Sequence, residues 1–322
     1  MNNFQTLFEQ HQYAKNDNWP DIDIVIPTLN CATSLKTTLM SVKDQDYPGY
    51  LNIIIVDGGS DDDTIRIAKS FGCEIYIIKN GYMHGLKGAY NFGMKQGKLE
   101  LIMKLDSDNV LIGNRMIYDL VVPLKERSIS FAEPFTAVDP SSSPLAQFGA
   151  VMEIWKLLPV LKGMTKYGKY FISSNLSYGL VNCSIFRRSV YNLLGGFASD
   201  TLFLYEMKRK GINFGAIVPS SKYYHYFSNN TLDFFKKWYR RIPKISGAIS
   251  ENQYSSTNKK LYISSSTSDM EIFSKTFLLY LKTRNRIYLS GIFYFMAFFL
   301  ALVLHPISFL KISFSLKKER SL

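Results

Sequence analysis

The chain has 322 residues, a length that corresponds to about two domains. Hydrophobic residues make up 47% of it and charged residues 20%, so the chain can bury a core and is not disordered as a whole. Thirty-eight basic residues against 26 acidic ones leave a net charge of +12, which favours a partner rich in phosphate. Three widely spaced cysteines, Cys31, Cys73 and Cys183, argue against a disulfide framework and a CxxC metal site, and they favour a reducing, cytoplasmic setting.

The first half of the chain alternates strand and helix patterns. Apolar and β-branched runs predict strands over residues 23–27, 51–56, 74–78 and 99–105. Helical spacing of apolar residues, or an acidic start, predicts helices over residues 32–45, 61–71, 87–95 and 116–124. Strands that alternate with helices form βαβ units, so the sequence predicts the α/β class with a mostly parallel sheet flanked by helices.

The second half of the chain is less regular. We expect one strand over 130–138 and another over 213–218, the latter followed by a basic turn that leads to His225. A stretch rich in Ser, Thr and Asn predicts a linker before an apolar end. The predicted domains are therefore a main domain over 1–250, a linker over 251–270 and an apolar helical C-terminal segment over 271–322.

The C-terminal segment favours a membrane location, whereas the polar N-terminus contains no apolar signal region. Residues 287–310 contain no formally charged side chain, and a helix of that length, at about 1.5 Å per residue, can span a hydrocarbon core of about 30 Å. His305 and Pro306 weaken a full span, and basic residues flank both ends of the run. A spanning helix, an interfacial helix and a helix packed on the soluble body are the alternatives.

Acidic residues follow two strands of the predicted sheet. Asp57 follows the second strand, and Asp106 and Asp108 follow the fourth. Ligands of such sheets bind at the carboxyl ends of the strands, so these side chains mark a candidate site. An Asp-x-Asp turn can bring two carboxylates to one hard divalent cation, which keeps open positions for phosphate oxygens. A solvated turn is the alternative for this motif taken alone.

Several ordered motifs resemble one family. They are Ile-Pro-Thr-Leu-Asn at 26–30, Ser41 with Gln45, Tyr47 and Pro48, the segment 55–64, the glycine-punctuated segment 88–97, Leu-Asp-Ser-Asp-Asn at 105–109, and Phe-Arg-Arg at 186–188 followed by Gly-Gly-Phe at 195–197. With these motifs, about residues 21–241 resemble the family-2 glycosyltransferases, which bind nucleotide sugars with the GT-A fold. One departure is Gly58, where the family often has a second acid.

The resemblance implies a nucleotide-sugar pocket. In that pocket Asp57 contacts the base or ribose, and Asp106 also serves the sugar nucleotide. The other implied members of the pocket are Pro27, Thr28, Asn30, Gly59 and Ser60.

The resemblance also implies a divalent metal, Mg²⁺ or Mn²⁺, held by Asp106 and Asp108, with Asp108 the better direct ligand. Members of the family often place a histidine near the metal or the diphosphate, and here that residue is His225. The alternative is a histidine that only packs in a cluster of aromatic residues.

A catalytic base is needed because an acceptor hydroxyl is a weak nucleophile near neutral pH. The family often has a Glu-Asp pair shortly after Gly-Gly-Phe, and here Ser199 and Asp200 stand at that position. The Asp is kept and the Glu is lost, so the resemblance implies Asp200 as the base, with Glu206 as the nearby alternative. A helix N-cap is the structural alternative for Asp200. Attack opposite the leaving diphosphate would invert the configuration of the sugar.

Other classes of protein lack their motifs in this chain. No Gly-x-Gly-x-x-Gly follows the first strand and no P-loop motif occurs, which excludes a dinucleotide oxidoreductase and a P-loop NTPase. A basic, membrane-attached binding protein without catalysis is the non-enzyme alternative. No recognisable nucleic-acid-binding motif is found, so nucleic acid is not an expected partner.

The resemblance and the C-terminal segment together predict where the enzyme acts. We expect an inverting glycosyltransferase at the cytoplasmic face of the cell membrane, acting on a lipid-linked saccharide or glycolipid of cell-surface polysaccharide assembly. A soluble or protein acceptor is the alternative. Residues 234–241 interleave four cations with aromatic side chains, a pattern typical of diphosphate or lipid-headgroup binding, or of a solvated helix face.

Overall fold

The computed structural model describes residues 19–78, 85–162, 164–173, 182–197, 200–212 and 214–226, and short pieces between 276 and 296. The chain divides into two compact units. Unit 1 holds the described residues within Met1–Ser107, Gly113–Glu133 and Gly179–Gly215, and unit 2 holds those within Asp108–Ile112, Pro134–Tyr178 and Ala216–Leu322. The predicted linker and the basic segment 234–241 lie outside the described residues.

The helices and strands follow the predicted alternation. In chain order the strands are β1 (Ile22–Thr28), β2 (Leu51–Asp57), β3 (Glu74–Ile77), β4 (Leu101–Lys104), β5 (Asn109–Ile112), β6 (Phe131–Ala137), β7 (Thr165–Tyr167), β8 (Tyr170–Ser173), β9 (Ile185–Arg187) and β10 (Gly215–His225). The helices are α1 (Ala32–Lys43), α2 (Thr64–Ser70), α3 (Gly85–Gln96), α4 (Met116–Val121), α5 (Pro144–Lys162), α6 (Arg188–Leu194) and α7 (Asp200–Arg209), and a short 3-10 helix, Val122–Lys125, follows α4. The alternation predicted for the first half is confirmed, with boundaries shifted by a few residues.

Unit 1 is built on a mostly parallel sheet with the strand order β3-β2-β1-β4. Ile22 of β1 pairs with Leu51 of β2 and with Leu101 of β4, all in parallel. Strand β9 pairs antiparallel with β4, and the unit 1 part of β6 pairs antiparallel with β9. Every residue of β1 is buried, as expected for a central strand of a parallel sheet, and the strand includes the polar residues Asp23 and Thr28.

Two helices of unit 1, α1 and α3, bury apolar residues and cover the sheet. Helix α1 buries Leu35, Leu39 and Val42, which recur at helical spacing on one face. Helix α3 packs on β1 and β2, and at Gly93 an added Cβ would come within 2.5 Å of Val25. The absence of a side chain at Gly93 therefore sets the close approach of α3 to the sheet.

The amino end of β1 carries a buried ion pair. Asp23 is fully buried, and its Oδ2 lies 2.6 Å from Nη2 of Arg188, the first residue of α6. The same carboxylate accepts hydrogen bonds from Nδ2 of Asn52 at 2.8 Å and from the backbone N–H of Leu99 at 2.8 Å. Each charge is thus paired and hydrogen-bonded, which is the condition for burying it.

Unit 2 contains antiparallel strands and the long helix α5. Strand β10 pairs with β5, so that Asn109 stands opposite His225, and β7 and β8 form a hairpin. The strand predicted over 213–218 is present from Gly215, but the basic turn predicted after it is wrong. Strand β10 continues to His225 because residues from Lys222 onwards have β5 as a partner.

The described pieces of the C-terminal segment are mostly helical, and those between 286 and 296 contact α5. Phe148 and Met152 of α5 form a buried cluster with Phe295, and the Trp155 ring stacks on Tyr288 with 6.2 Å between ring centroids. Most of the predicted run 287–310 lies outside the described residues. Among the residues that are described, no helix combines the length and the apolar character that a membrane crossing needs.

Candidate functional site

The carboxylate of Asp57, at the carboxyl end of β2, organises two loops of unit 1. Asp57 is fully buried. Its Oδ1 accepts the backbone N–H groups of Gly59 at 2.9 Å and Ser60 at 2.7 Å. Its Oδ2 accepts the hydroxyls of Thr28 at 2.8 Å and Ser60 at 2.6 Å. The turn needs Gly59, whose φ of +93° is unfavourable for residues with a Cβ.

The loop after β1 is fastened to the loop after β2. The backbone N–H of Asn30 donates to Oγ of Ser60 at 2.9 Å, and Oδ1 of Asn30 accepts the backbone N–H of Asp61 at 2.9 Å. These bonds hold Asn30 at a φ of +48°, a conformation that asparagine tolerates better than most residues. Pro27 and Thr28 are buried just before it, whereas Asn30 is exposed.

The first backbone N–H groups of α1 are already bound by side chains. Cys31 donates to Oγ1 of Thr64 at 2.9 Å, and Ala32 donates to Oδ2 of Asp62 at 3.0 Å. The hydroxyl of Thr64 is the main cause that lowers the pKa of Asp62, so this acid stays ionised at the positive end of α1. Burial raises the pKa of the Cys31 thiol, which keeps it protonated.

Asp106 lies just beyond β4 and is held by α3. The hydroxyl of Tyr90 donates to Oδ1 of Asp106, and Tyr90 is itself buried. The turn is also tied to α1, because the hydroxyl of Thr38 donates to the carbonyl oxygen of Ser107 at 3.0 Å. Asp106 therefore occupies a fixed position at the carboxyl edge of the unit 1 sheet.

A buried cation lies two residues before Asp106. Lys104 is 3% exposed, and its Nζ donates to Oδ1 of Asn182 at 2.8 Å. The ammonium group lies over the Tyr90 ring, 5.3 Å from the ring centroid, and 5.9 Å from the centroid of the Phe197 ring. Aromatic faces and an amide oxygen thus stabilise this positive charge.

Unit 2 places Asp108 beside His225. Nε2 of His225 lies 4.0 Å from Oδ1 of Asp108, and both side chains are partly buried, at 14% and 34% exposed. The backbone N–H of Tyr226 donates to the carbonyl oxygen of Asp108 at 3.3 Å. The Tyr226 hydroxyl donates to Oδ2 of Asp139 at 2.9 Å, and burial together with this bond raises the pKa of Tyr226 to about 12.

The residues around Asp108 fit a divalent cation. Asp106, Asp108 and His225 are the ligands predicted from the sequence; in the structure Asp108 and His225 are neighbours in unit 2, and Asp106 precedes Asp108 by two residues in the chain. Two carboxylates and one imidazole suit Mn²⁺, and the carboxylates suit Mg²⁺. Next to Asp108, the fully buried side-chain amide of Asn109 has no hydrogen-bond partner among the described residues, as is expected where a water or ion belongs to the structure.

The two candidate bases lie on the same helix. Asp200 is the first residue of α7. Glu206 lies further along α7, where its Oε2 is 2.8 Å from Nη2 of Arg209. That ion pair occupies the Glu206 carboxylate on the helix surface.

Some residues of the site were not identified from the sequence. They are Glu153, whose Oε1 lies 3.4 Å from Nδ1 of His225, and the buried Lys104. A signal was present for each of them. Glu153 is the one acid in the sequence of an otherwise mostly apolar helix, and Lys104 interrupts an apolar strand directly before the Asp-x-Asp turn.

A mostly parallel α/β sheet with an Asp-x-Asp turn at the carboxyl end of a strand is the arrangement of a glycosyltransferase of the GT-A type. Residues 23–195, more than half of the chain, match the family described as glycosyl transferase family 2. The chain belongs to that family. The resemblance drawn from the sequence motifs, the predicted fold class and the predicted enzyme class are thereby confirmed.

Relatives with assigned activities match parts of the chain. The UDP-forming cellulose synthase 1 catalytic subunit of Komagataeibacter xylinus is 27% identical in an alignment of 227 positions that covers 65% of this chain and 29% of that protein. The UDP-Glc:alpha-D-GlcNAc-diphosphoundecaprenol beta-1,3-glucosyltransferase WfgD of Escherichia coli is 26% identical over 133 residues, which are 41% of this chain and 52% of that protein. The chain thus spans less than two thirds of the length of these relatives.

One solved structure shows the same fold. The mannosyltransferase PcManGT of Pyrobaculum calidifontis, determined in complex with GDP-Man and Mn²⁺, is 13% identical and superposes with a TM-score of 0.51. The superposition covers 92% of this chain and 94% of that chain.

Proposed function

We propose that the protein transfers a sugar from a nucleoside-diphosphate sugar to an acceptor hydroxyl with inversion of configuration, and that it requires Mg²⁺ or Mn²⁺. The observation that carries the proposal is the placement of His225 beside Asp108 of the Asp-x-Asp turn. An oxygen-rich ligand set with one imidazole, directly after a strand of a GT-A sheet, is suited to a metal that accompanies a diphosphate.

In this proposal Asp106, Asp108 and His225 hold the cation. When bound, the cation supplies positive charge that stabilises the negative charge on the leaving diphosphate. Tyr90 fixes the carboxylate of Asp106, so the side chain needs no reorganisation when the donor arrives.

The nucleotide is proposed to bind along the loops that follow β1 and β2, which hydrogen bonds of Asn30 join to each other. A carboxylate has about four acceptor positions, and Asp57 already accepts four hydrogen bonds within the protein. Its proposed contribution is therefore to shape the pocket, while exposed Asn30 and the Gly59–Ser60 turn border the space for the base and ribose. Pro27 and Thr28 support that wall from the buried side.

Asp200 is the proposed base. Its carboxylate accepts the proton of the acceptor hydroxyl as the oxygen forms a bond to the anomeric carbon. At the same time the bond between that carbon and the diphosphate oxygen breaks, and its electron pair leaves with the diphosphate. The ion pair of Glu206 with Arg209 favours Asp200 over Glu206.

The proposed acceptor is a lipid-linked saccharide or glycolipid at the cytoplasmic face of the cell membrane. WfgD is named for an acceptor carried on diphosphoundecaprenol, and the cellulose synthase subunit is named for UDP release. Attachment through the apolar segment 287–310 is part of this proposal, and the uncharged character of that run supports it.

A donor panel tests the proposed function. UDP-linked and GDP-linked sugars are incubated with the protein and a membrane lipid extract, with Mn²⁺, Mg²⁺ or EDTA, and nucleotide release is measured together with thermal stabilisation by UDP and GDP. We expect one donor to be consumed only with metal, and Asp108→Ala to reduce turnover by roughly a thousandfold while the protein stays folded.

Two further variants complete this test. Asp44→Ala removes an exposed acid at the end of α1 and is expected to leave turnover unchanged. Asp200→Asn is expected to lower turnover far more than donor binding. Stabilisation by UDP and GDP that is the same with EDTA as with Mn²⁺ would contradict metal-assisted donor binding.

A further inference from the structure

Helix α5 contributes one acidic side chain, Glu153, to the surroundings of His225. Oε1 of Glu153 lies 3.4 Å from Nδ1 of His225, whereas Nε2 is the ring nitrogen beside Asp108. All three residues lie in unit 2. The imidazole is therefore placed between a carboxylate on one side and a candidate metal ligand on the other.

We propose that Glu153 is a positioning residue for the metal site, holding His225 in the tautomer with the proton on Nδ1 and giving the site a preference for Mn²⁺ over Mg²⁺. This inference rests on the proposed function, in which His225 is a metal ligand. Glu153 itself does not contact the ion or the donor in this proposal; it acts through the imidazole.

The distances around the ring support a shared ion on the Nε2 side. A separation of 4.0 Å between Nε2 of His225 and Oδ1 of Asp108 is too long for a hydrogen bond. Two ligands that each lie about 2.1 Å from one ion can be up to about 4.2 Å apart, so the observed gap accommodates an ion between them. At the Nδ1 side, a distance of 3.4 Å allows a hydrogen bond from an Nδ1–H to the Glu153 carboxylate.

The Glu153 carboxylate is itself held in place. The hydroxyl of Thr136, on β6, donates to its Oε2 at 2.6 Å. Oγ1 of Thr136 also lies 3.0 Å from the hydroxyl oxygen of Tyr223, on β10, and both residues are buried, at 6% and 1% exposed. A support built from two strands therefore fixes the direction in which Glu153 meets His225.

Such a carboxylate has two consequences for a metal ligand. A histidine that donates its second ring N–H to a carboxylate has a fixed ring orientation, and its metal-binding nitrogen is more basic. Nitrogen ligands favour transition metals such as Mn²⁺, whereas Mg²⁺ prefers a shell made of oxygen. Loss of Glu153 should therefore weaken the binding of Mn²⁺ more than that of Mg²⁺.

The first experiment measures metal binding without turnover. Free Mn²⁺ is followed by electron paramagnetic resonance as it is titrated into the full chain with saturating UDP, and in a parallel arm with GDP; Mg²⁺ affinity is obtained by competition. Glu153→Gln is expected to weaken Mn²⁺ binding by roughly 10–100-fold and Mg²⁺ binding by less. Glu74→Gln, a change at an exposed position on β3, is the control and is expected to match the wild type.

The outcomes of this experiment separate the two proposals. If the wild type binds neither Mn²⁺ nor Mg²⁺ with either nucleotide, the proposed function fails; if it binds Mg²⁺ but not Mn²⁺, only the inference about Glu153 fails. If the wild type binds Mn²⁺ and Glu153→Gln binds it equally well, the positioning role of Glu153 is overturned and the proposed function stands. Thr136→Val provides a second variant, because it withdraws the support of Oε2 and is expected to weaken Mn²⁺ binding in the same direction by a smaller factor.

The second experiment reads the tautomer directly and needs no metal. The chain has four histidines, so nitrogen-15 resonances of the imidazole groups can be assigned with His225→Asn. At a pH well above about 6.5, where an ordinary histidine is neutral, we expect the proton of His225 on Nδ1 in the wild type and a shift of the population towards Nε2–H in Glu153→Leu. A wild-type His225 that carries its proton on Nε2 would overturn the inference.

Discussion

Two aspartates of unit 1, Asp23 and Asp57, are both fully buried but are stabilised by different partners. Asp23, near the amino end of β1, pairs with the guanidinium of Arg188. Asp57, at the carboxyl end of β2, accepts only neutral donors, and no salt bridge among the described residues includes it. At the amino edge of the sheet, the Asp23 carboxylate joins elements that are distant in the chain. At the carboxyl edge, the Asp57 carboxylate shapes two loops.

The difference follows from what each edge must do. An ion pair at the amino edge is satisfied within the protein, and it connects β1 with α6 across 165 positions of the sequence. The carboxyl edge of the same sheet holds Asp57, which shapes the loops, and Asp106, the first acid of the Asp-x-Asp turn. Substitutions at the amino edge should therefore change the stability of the fold, and substitutions at the carboxyl edge should change metal and donor binding.

The largest effect on stability is expected for Arg188→Met. Removal of the guanidinium leaves Asp23 buried without its partner, which should lower the free energy of unfolding by about 3–5 kcal/mol, measured by urea denaturation. The KM for the donor should stay the same in the folded fraction. The double variant Asp23→Asn with Arg188→Met should recover part of the loss; a double variant as unstable as the single one would contradict the ion-pair account.

For Asp57→Ala we expect a smaller loss of stability and a clear rise in the KM for the donor. Four donors lose their acceptor, so the free energy of unfolding should fall by about 1–3 kcal/mol. The loosened loops should raise the KM for the donor at least about tenfold, as determined by steady-state kinetics. Asp57→Asn keeps the shape and part of the acceptor capacity, and it should lie between the wild type and Asp57→Ala. An unchanged KM in both variants would show that the loops do not form the pocket.

Tyr90→Phe should act on the metal site with little effect on the fold. It removes the hydroxyl that donates to Asp106 and keeps the ring beside Lys104. We expect Mn²⁺ binding in the presence of the nucleotide to weaken by roughly three- to tenfold, while the urea midpoint stays close to that of the wild type. A large loss of stability with unchanged Mn²⁺ binding would make Tyr90 a residue of the core alone.

The smallest effect is expected for Arg66→Ala. Arg66 of α2 and Asp63, the residue before that helix, form an exposed pair, with side chains 74% and 60% exposed. Water and salt screen such a pair, so neither the urea midpoint nor donor binding should change measurably. A shift as large as that of Arg188→Met would mean that burial does not decide what an ion pair contributes here.

The part of the fold that the sequence predicted is the part that local patterns determine. Strands β1 to β4 and helices α1 to α3 were predicted because apolar periodicity and turn residues lie within each element. The end of β10 was not predicted because its partner strand, β5, lies about 110 residues earlier in the chain. No local sequence pattern predicts such a pairing.

The candidate site divides in the same way. The Asp-x-Asp turn and the loop residues Asn30 and Asp57 lie within short motifs, so the sequence identified them. Glu153 and His225 are 72 positions apart, and Lys104 meets Asn182 over 78 positions, so only the tertiary structure brings these pairs together. The role of Asp200 is still a prediction.

The most direct test of the account is to locate the cation. Crystals grown with Mn²⁺ and UDP, and others with Mn²⁺ and GDP, can be examined for the anomalous scattering of manganese. We expect a single strong peak bounded by Asp106, Asp108 and Nε2 of His225, with nucleotide phosphate oxygens completing the shell. A manganese ion bound to the nucleotide but remote from all three side chains would contradict it.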